Sequence, residues 1–330
     1  MLKETCSVPF IFRAGVWKPR TRPDTFQGAG EEGLRWLSEV KAQYGIPVAT
    51  EVATPEHVSA ALEAGMDYLW IGARSSATPI VVQSLADSIC DLKIRRFEDS
   101  KIRRFEDLKG LFIKNPVNAD AALWLGNIER LEQTGVPVMA VHRGCGHKPS
   151  WSVAHEVRLA RPDIPMLLDP SHMSGDAAKV PELLTKVTEL GLDGAMIEVH
   201  CCPEKALSDA KQQIRPSAIS RQLSAVSHQN TVELNWLRAE IDELDETLWE
   251  TVAARMDVSR RIGEWKKAHG VAPLQPERYQ QIKSKVESQK SKGLSTDFAL
   301  RLWEIIHEES VKIQEERGKG KEERGKGIEE

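Results

Sequence analysis

Seven short β-rich runs along the chain end in side chains that bind anions or move protons: Arg13, Glu51, Arg74, Lys114, His142 with Arg143, Asp169 with His172, and Glu198 with His200. Taken singly, each is more often a satisfied polar residue at a strand end. Arg13, Arg74, Lys114 and Arg143 sit on four different ends, however, and four cations converging on one opening need an anionic ligand. A phosphorylated carboxylate meets that demand. Just after the first run, the proline-stiffened stretch KPRTRPDTFQG (18–28) adds Lys18, Arg20 and Arg22. His172, Glu198 and Asp209 combine imidazole with carboxylates, a donor set suited to Mn, Fe, Co or Zn.

The elements that must position these residues are legible as alternation. The runs FIFRAG (10–15), PVATEV (47–52), YLWIGAR (68–74), LFIKNP (111–116), VMAVHRG (138–144), MLLDPSH (166–172) and AMIEVH (195–200) are separated by helical stretches. Crossovers of ten residues or more predict a parallel sheet, and seven units in about 200 residues predict an α/β TIM-type (β/α)8 barrel whose first strand is missing. In such a barrel the chemistry gathers at the carboxyl ends of the strands.

Composition narrows the class. The chain has 330 residues and a formal charge of −4, with acids and bases interleaved, so no nucleic-acid footprint is expected. Lys3, Glu4, Arg13, Lys18, Arg20 and Arg22 break any signal-peptide pattern, no apolar run approaches a membrane span, and a cytoplasmic protein is expected. Five cysteines without CxxC spacing indicate neither a disulfide framework nor a zinc knot. Adjacent Cys201 and Cys202 point opposite ways on an extended segment and do not suit one ion. Two tandem copies, KIRRFEDS/KIRRFEDL and EERGKGK/EERGKGI, are read as a surface insertion and as part of a disordered charged tail over 317–330.

Beyond the barrel (1–214) and a polar linker (215–232), the pattern becomes helical over 233–316. Leu234, Leu237, Ile241, Leu244 and Leu248 recur at three and four residues, and the period runs through Val258 and Ile262 to about His269. Pro273 and Pro276 end that helix, a second starts near Glu277, and Ser295 or Thr296 caps a third reaching about Glu316. One long and two shorter helices do not close a large core alone, so a homodimer or higher homo-oligomer is expected. Arg255 and Lys266, eleven residues apart, differ by about 20° and share a face, whereas Arg238 lies about 100° away. Ser310 and Gln314 share a face of the third helix at i and i+4.

KPRT, IGAR, KNPVN, HRG, DPSH and IEVH followed by ALSDAKQQ, in that order, resemble 3-deoxy-D-arabino-heptulosonate 7-phosphate (DAHP) synthase over residues 8–214. The resemblance implies condensation of phosphoenolpyruvate with erythrose 4-phosphate, the first step of the shikimate pathway and so of aromatic amino acid biosynthesis. It implies that Arg13, Lys18, Arg74, Lys114 and Arg143 hold phosphoenolpyruvate with the backbone of Gly72 and Ala73 close by. It also implies that Arg20 and Thr21 take the erythrose phosphate, and that a divalent metal on His172, Glu198 and Asp209 polarises the aldehyde. Relatives that use arabinose 5-phosphate carry Lys-Ala-Asn-Arg where this chain has Lys18-Pro19-Arg20-Thr21, which favours the four-carbon sugar. With the KIRRFED duplication ahead of the Lys114 strand, three features depart from the family. Its first strand carries a metal-binding cysteine with a full helix after it, whereas here Cys6-Ser7 runs directly into the next strand; and the loop after His142-Arg143-Gly144 is short.

ELNWLRAEIDELD, ARMDVSRRIGEWKK, LQPERY and IIHEESVKIQ resemble the all-α chorismate mutases over 233–316. That similarity implies rearrangement of chorismate to prephenate, with Arg255, Arg278 and a partner-derived Arg238 on the carboxylates. Lys266 and Gln314 would bond the ether oxygen and Ser310 would assist a carboxylate; Gln275 and Tyr279 stand where some relatives have acids. Feedback through bound prephenate or chorismate is implied as well. Two other readings stay open on the residues alone: a mutase with a non-catalytic barrel, and a sensor of phosphorylated acids and prephenate without catalysis.

Overall fold

The computed structural model describes residues 8–19, 24–98, 108–219, 232–288 and 293–316. The chain divides into two units, Met1–Glu243 and Leu244–Glu330. In the first, seven strands form one parallel sheet in sequence order: β1 (Phe12–Ala14), β2 (Val48–Val52), β3 (Tyr68–Ile71), β4 (Gly110–Lys114), β5 (Val138–His142), β6 (Met166–Leu168) and β7 (Gly194–Ala195). Each of the seven expected runs contributes to a strand, the last through Ala195 alone, and among the described residues no strand joins β7 to β1. This is the barrel short of one stave. Past β7, Ile214 makes a parallel bridge to Val199.

Helices fill the crossovers: α1 (Glu31–Tyr44), α2 (Pro55–Glu63), α3 (Ala73–Ser76), α4 (Pro79–Glu98), α5 (Ala121–Glu132), α6 (Trp151–Ala160), α7 (Pro170–Ser174) and α8 (Val180–Glu189). Their starts follow local chemistry. Thr54 accepts the His57 amide ahead of α2 and Asp120 accepts the Leu123 amide ahead of α5, each satisfying an orphan donor of the first turn. The first KIRRFED copy begins within α4; the second lies outside the described residues, as do Cys6, Arg20, Thr21, most of the expected linker and the charged tail.

A period of two sorts the strand residues between the sheet's faces. Ala49, Trp70, Phe112, Val141 and Met196 cluster inside the curl with Ile11, Tyr68, Met139 and Leu167 against them. The alternate residues, among them Val48, Val52, Leu69, Ile71, Leu111 and Ile113, pack under the helices in the main core. Two positions on from the last inward apolar residue, the seven strands present Arg13, Glu51, Gly72, Lys114, Arg143, Asp169 and Glu198. These strand-end residues therefore share the inward parity of the barrel interior.

One helix, α9 (Val232–Ala268), carries residues of both units, and its first turns belong to the barrel. Trp236 is buried, donates its indole N–H to the Leu190 carbonyl at 3.1 Å and stacks on His155 at 5.4 Å. Replacing Trp236 by alanine is expected to cost about 3–5 kcal/mol, the usual price of emptying a buried indole site. Urea unfolding followed by circular dichroism checks this; a loss under about 1 kcal/mol would mean the site collapses to fill itself.

The second unit holds the remainder of α9, then α10 (Pro276–Ser288) and α11 (Thr296–Glu316). Ser295 accepts the Phe298 amide at 3.2 Å, the cap expected for the third helix. Among the described residues, nothing covers the apolar stripe of α9: Leu234, Leu237, Ile241, Leu244 and Leu248 are 43–67% exposed. No helix among the described residues is long and apolar enough to cross a membrane.

Candidate active site

A cavity of about 1090 Å³ runs along the barrel interior; at the carboxyl ends of the strands it is lined by Arg13, Lys18, Glu51, Arg74, Lys114, His172, Glu198 and Asp209, with Trp70 and Phe112 beneath them, and it continues past Tyr68 and Pro47 to Val187, Asp193 and Ile219. Lys114 is buried and donates to Asp169 Oδ2 at 2.6 Å. Asp169 is fully buried and does three things at once: it pairs with Lys114, accepts the His172 amide at the start of α7, and lies 3.0 Å from His172 Nδ1. Burial opposes its ionisation, but the charges of His172, Lys114 and Arg13 and the His172 hydrogen bond win, holding the carboxyl well below its ordinary range. Arg13 sits over the Trp70 ring at 5.0 Å and 3.9 Å from Glu198.

Glu51, which the motifs leave without a role, lines the same cavity. Burial pushes its carboxyl up against the pull of Lys114, Arg13, Lys18 and His172, which suits it to carry a proton. A Cβ on Gly72 would come within 2.1 Å of Glu51 Oε1, so the glycine is what lets this carboxylate in. His142 faces the other way. It lies buried between Trp124 and Trp151 with Nε2 on the Pro149 carbonyl at 2.7 Å, and burial pulls its pKa down to about 4. It is a neutral core residue at neutral pH. Arg143 has the inward parity and donates its amide to Asn115 Oδ1 at 2.7 Å; Ala73 opens α3 beside Gly72.

The loop bearing Lys18 is pinned at both ends, by the Lys18 amide on the Gln27 carbonyl at 2.7 Å and the Gly30 amide on the Val16 carbonyl at 2.8 Å. Gly28 has φ +104, and a Cβ there would meet the Val16 oxygen at 2.1 Å, so only glycine closes the loop. Lys18 Nζ donates to Ser208 Oγ at 2.6 Å and to Asp209 Oδ2 at 3.2 Å.

That ion pair bears on the metal expected from sequence. His172 Nε2 and Glu198 Oε1 converge to 3.7 Å, and Asp169 orients the imidazole from behind, as a ligand pair requires. Asp209 is not with them: it sits in left-handed backbone, φ 55, with Lys18 on its carboxylate. Among the described residues no three His, Cys, Asp or Glu are placed to hold an ion. The expected trio does not fit a metal in this arrangement, because a lysine already neutralises its third member.

In the helical unit, the expected face forms. Arg255 donates to Ser310 Oγ and, at 3.2 Å, to the Ile306 carbonyl, while Lys266 donates to Gln314 Oε1 at 3.1 Å and to the Pro273 carbonyl at 2.5 Å. Burial pulls both cations' pKa values down, the mark of charges held partly out of water. Arg278 is not gathered with them; it is exposed and donates to Gln281 at 3.3 Å. Arg238 is exposed on the part of α9 that belongs to the first unit.

The DAHP synthetase I family model matches residues 1–234. The chain belongs to that family. The chorismate mutase type II model matches residues 237–315, so a second family domain follows the DAHP synthetase domain directly. A phospho-2-dehydro-3-deoxyheptonate aldolase of Thermotoga maritima is 30% identical over 204 residues, 62% of this chain and 56% of that protein. A 2-dehydro-3-deoxyphosphooctonate aldolase of Wolinella succinogenes is 25% identical over 244 residues, 68% of this chain and 90% of that protein. The crystal structure of the DAHP synthase from Thermotoga maritima superposes with a TM-score of 0.51 at 25% identity, over 72% of this chain and 62% of the other. The chain thus spans little more than half of the first of these curated relatives. Within the DAHP synthetase domain, the sequence placed Glu51 and Asp169 at strand ends but gave them no role, and it passed over Trp70, for which inward strand parity was the signal.

Proposed function

We propose that the barrel condenses phosphoenolpyruvate with erythrose 4-phosphate and that the helical domain rearranges chorismate to prephenate, two steps of aromatic amino acid biosynthesis. The observation that carries the first half is the cation set itself: Arg13 and Lys114 from the strand ends line one cavity with Lys18 and Arg74. Such a set complements the phosphate and carboxylate of phosphoenolpyruvate. Arg143 has the parity to join them. Bound anion competes with Asp209 for Lys18. C3 of phosphoenolpyruvate attacks the sugar aldehyde, the new alkoxide takes a proton, water adds at C2 and phosphate leaves, so that DAHP and inorganic phosphate balance the two substrates and one water. The cations stabilise the charge that moves.

For the second half, Arg255 with Ser310 and Lys266 with Gln314 form two donor pairs, suited to a carboxylate and to the ether oxygen whose C–O bond breaks. The reaction is pericyclic, so preorganised donors suffice. The exposed leucine stripe of α9 supports a second copy as the cover, which would also supply Arg238.

The test is loss of phosphoenolpyruvate absorbance on mixing the full chain with erythrose 4-phosphate, run with Mn²⁺, with chelator and with arabinose 5-phosphate instead. Turnover with the four-carbon sugar is expected. Intact chorismate consumption without phosphoenolpyruvate loss under any condition would overturn the barrel half, and turnover only with arabinose 5-phosphate would overturn the choice of sugar.

A further inference from the structure

Between β5 and α6 the chain passes through Arg143 to Ser150, and this loop is held in place at several points. Arg143 is fixed by Asn115, Cys145 and Lys148 exchange backbone hydrogen bonds of 2.9 and 3.0 Å, and His142 Nε2 donates to the Pro149 carbonyl. The far end is unusual. Ser150 precedes α6 in left-handed backbone, φ 51, and its own side chain caps nothing. The first amides of a helix need acceptors, and here both come from one distant carboxylate. Glu243 Oε1 accepts the Ser150 amide at 2.7 Å and Glu243 Oε2 accepts the Trp151 amide at 2.8 Å.

Glu243 is itself held. It follows Trp236 and Glu240 at seven and three residues on α9, where Trp236 is locked on Leu190 and Glu240 lies 2.5 Å from His155 Nδ1. One face of α9, within the barrel unit, therefore presents a fixed bidentate acceptor to the end of a loop that starts at Arg143. A carboxylate on helix amides also gains from the helix dipole.

We propose that Glu243 is a positioning residue of the barrel site: its carboxylate fixes the Arg143–Ser150 loop, and with it the aim of Arg143, without touching substrate. This rests on the phosphoenolpyruvate reading of the barrel. Cys145, within the loop, reports on it separately. Burial pushes its thiol up, the Ser150 hydrogen bond and Arg143 pull it down, and the Glu243 charge pushes it up again.

The experiment compares full-length wild type with Glu243→Gln and Glu243→Ala by phosphoenolpyruvate KM and kcat, chorismate turnover, and iodoacetamide alkylation of Cys145 resolved by peptide mapping. Both variants are expected to alkylate Cys145 faster, by about threefold or more as thiolate and access increase. Their KM for phosphoenolpyruvate is expected to rise by about tenfold with a smaller change in kcat, the signature of lost ground-state binding. Chorismate turnover should stay at the wild-type rate. A lowered melting temperature with KM and Cys145 rate unchanged in both variants would make Glu243 a helix cap only and overturn the assignment. If wild type consumes no phosphoenolpyruvate, the reading of the site fails, yet the Cys145 rate still decides the loop: faster alkylation supports the hold by Glu243, and an unchanged rate overturns it.

Discussion

Replacing Lys114 by methionine is expected to cut phosphoenolpyruvate consumption by about 10²–10³-fold, the scale of losing one preorganised donor at a developing charge. The same change should destabilise the barrel by about 3–5 kcal/mol at neutral pH, because it leaves Asp169 buried with one cation fewer. Its pH dependence identifies the cause. In the wild type, burial disfavours the Asp169 carboxylate but His172, Lys114 and Arg13 overcome it, so its folded pKa lies well below the ordinary 3.8. A group depressed on folding stabilises fully above its unfolded pKa and loses that contribution as pH falls through the folded value. Without Lys114 the folded pKa rises, and the variant relieves its penalty by taking a proton. The stability deficit against wild type should therefore be largest at pH 7 and shrink on going to pH 4. Urea unfolding at both pH values measures it; a deficit that does not change with pH would trace the loss to packing around the lysine stem instead of to Asp169.

The barrel was legible because parallel strands buried on both faces are continuous apolar runs, and all seven stand out from the charged crossovers. Their ends were less so. MLLDPSH gives only Met166–Leu168 because Asp169 turns to cap α7, and AMIEVH contributes Ala195 alone to β7. Residue types at the site were visible, but pairings were not. Lys114 and Asp169 are 55 positions apart and meet only through the β4–β5–β6 register. Lys18 and Asp209 are 191 apart, and nothing local says that the lysine takes the carboxylate assigned to a metal. Glu243 looks like any charge on an amphipathic helix, since backbone amides leave no trace in a sequence. The leucine stripe of α9 told that a core exists without telling whose: among the described residues it is exposed.

Replacing Lys266 by glutamine is expected to lower chorismate turnover by about 10²–10³-fold while phosphoenolpyruvate consumption stays unchanged. Glutamine keeps a donor near Gln314 and the Pro273 carbonyl, so what it removes is the positive charge. That charge matters because the ether oxygen gains electron density as its C–O bond breaks, and a cation partly out of water acts on it with less solvent screening than one in bulk water. Burial has already drawn the Lys266 pKa below its ordinary 10.5. Activity that needs the ammonium is present below this pKa and lost as pH rises through it, so the alkaline limb of the mutase profile should fall short of 10.5. Lys266→Arg separates charge from geometry, since a guanidinium stays protonated across that range. It is expected to be slower than wild type at pH 7, because a planar fork does not reproduce both lysine contacts, and to lose the alkaline limb. A limb that persists unchanged in Lys266→Arg would assign the titration to another group and leave Lys266 as a contact whose protonation does not limit the rate.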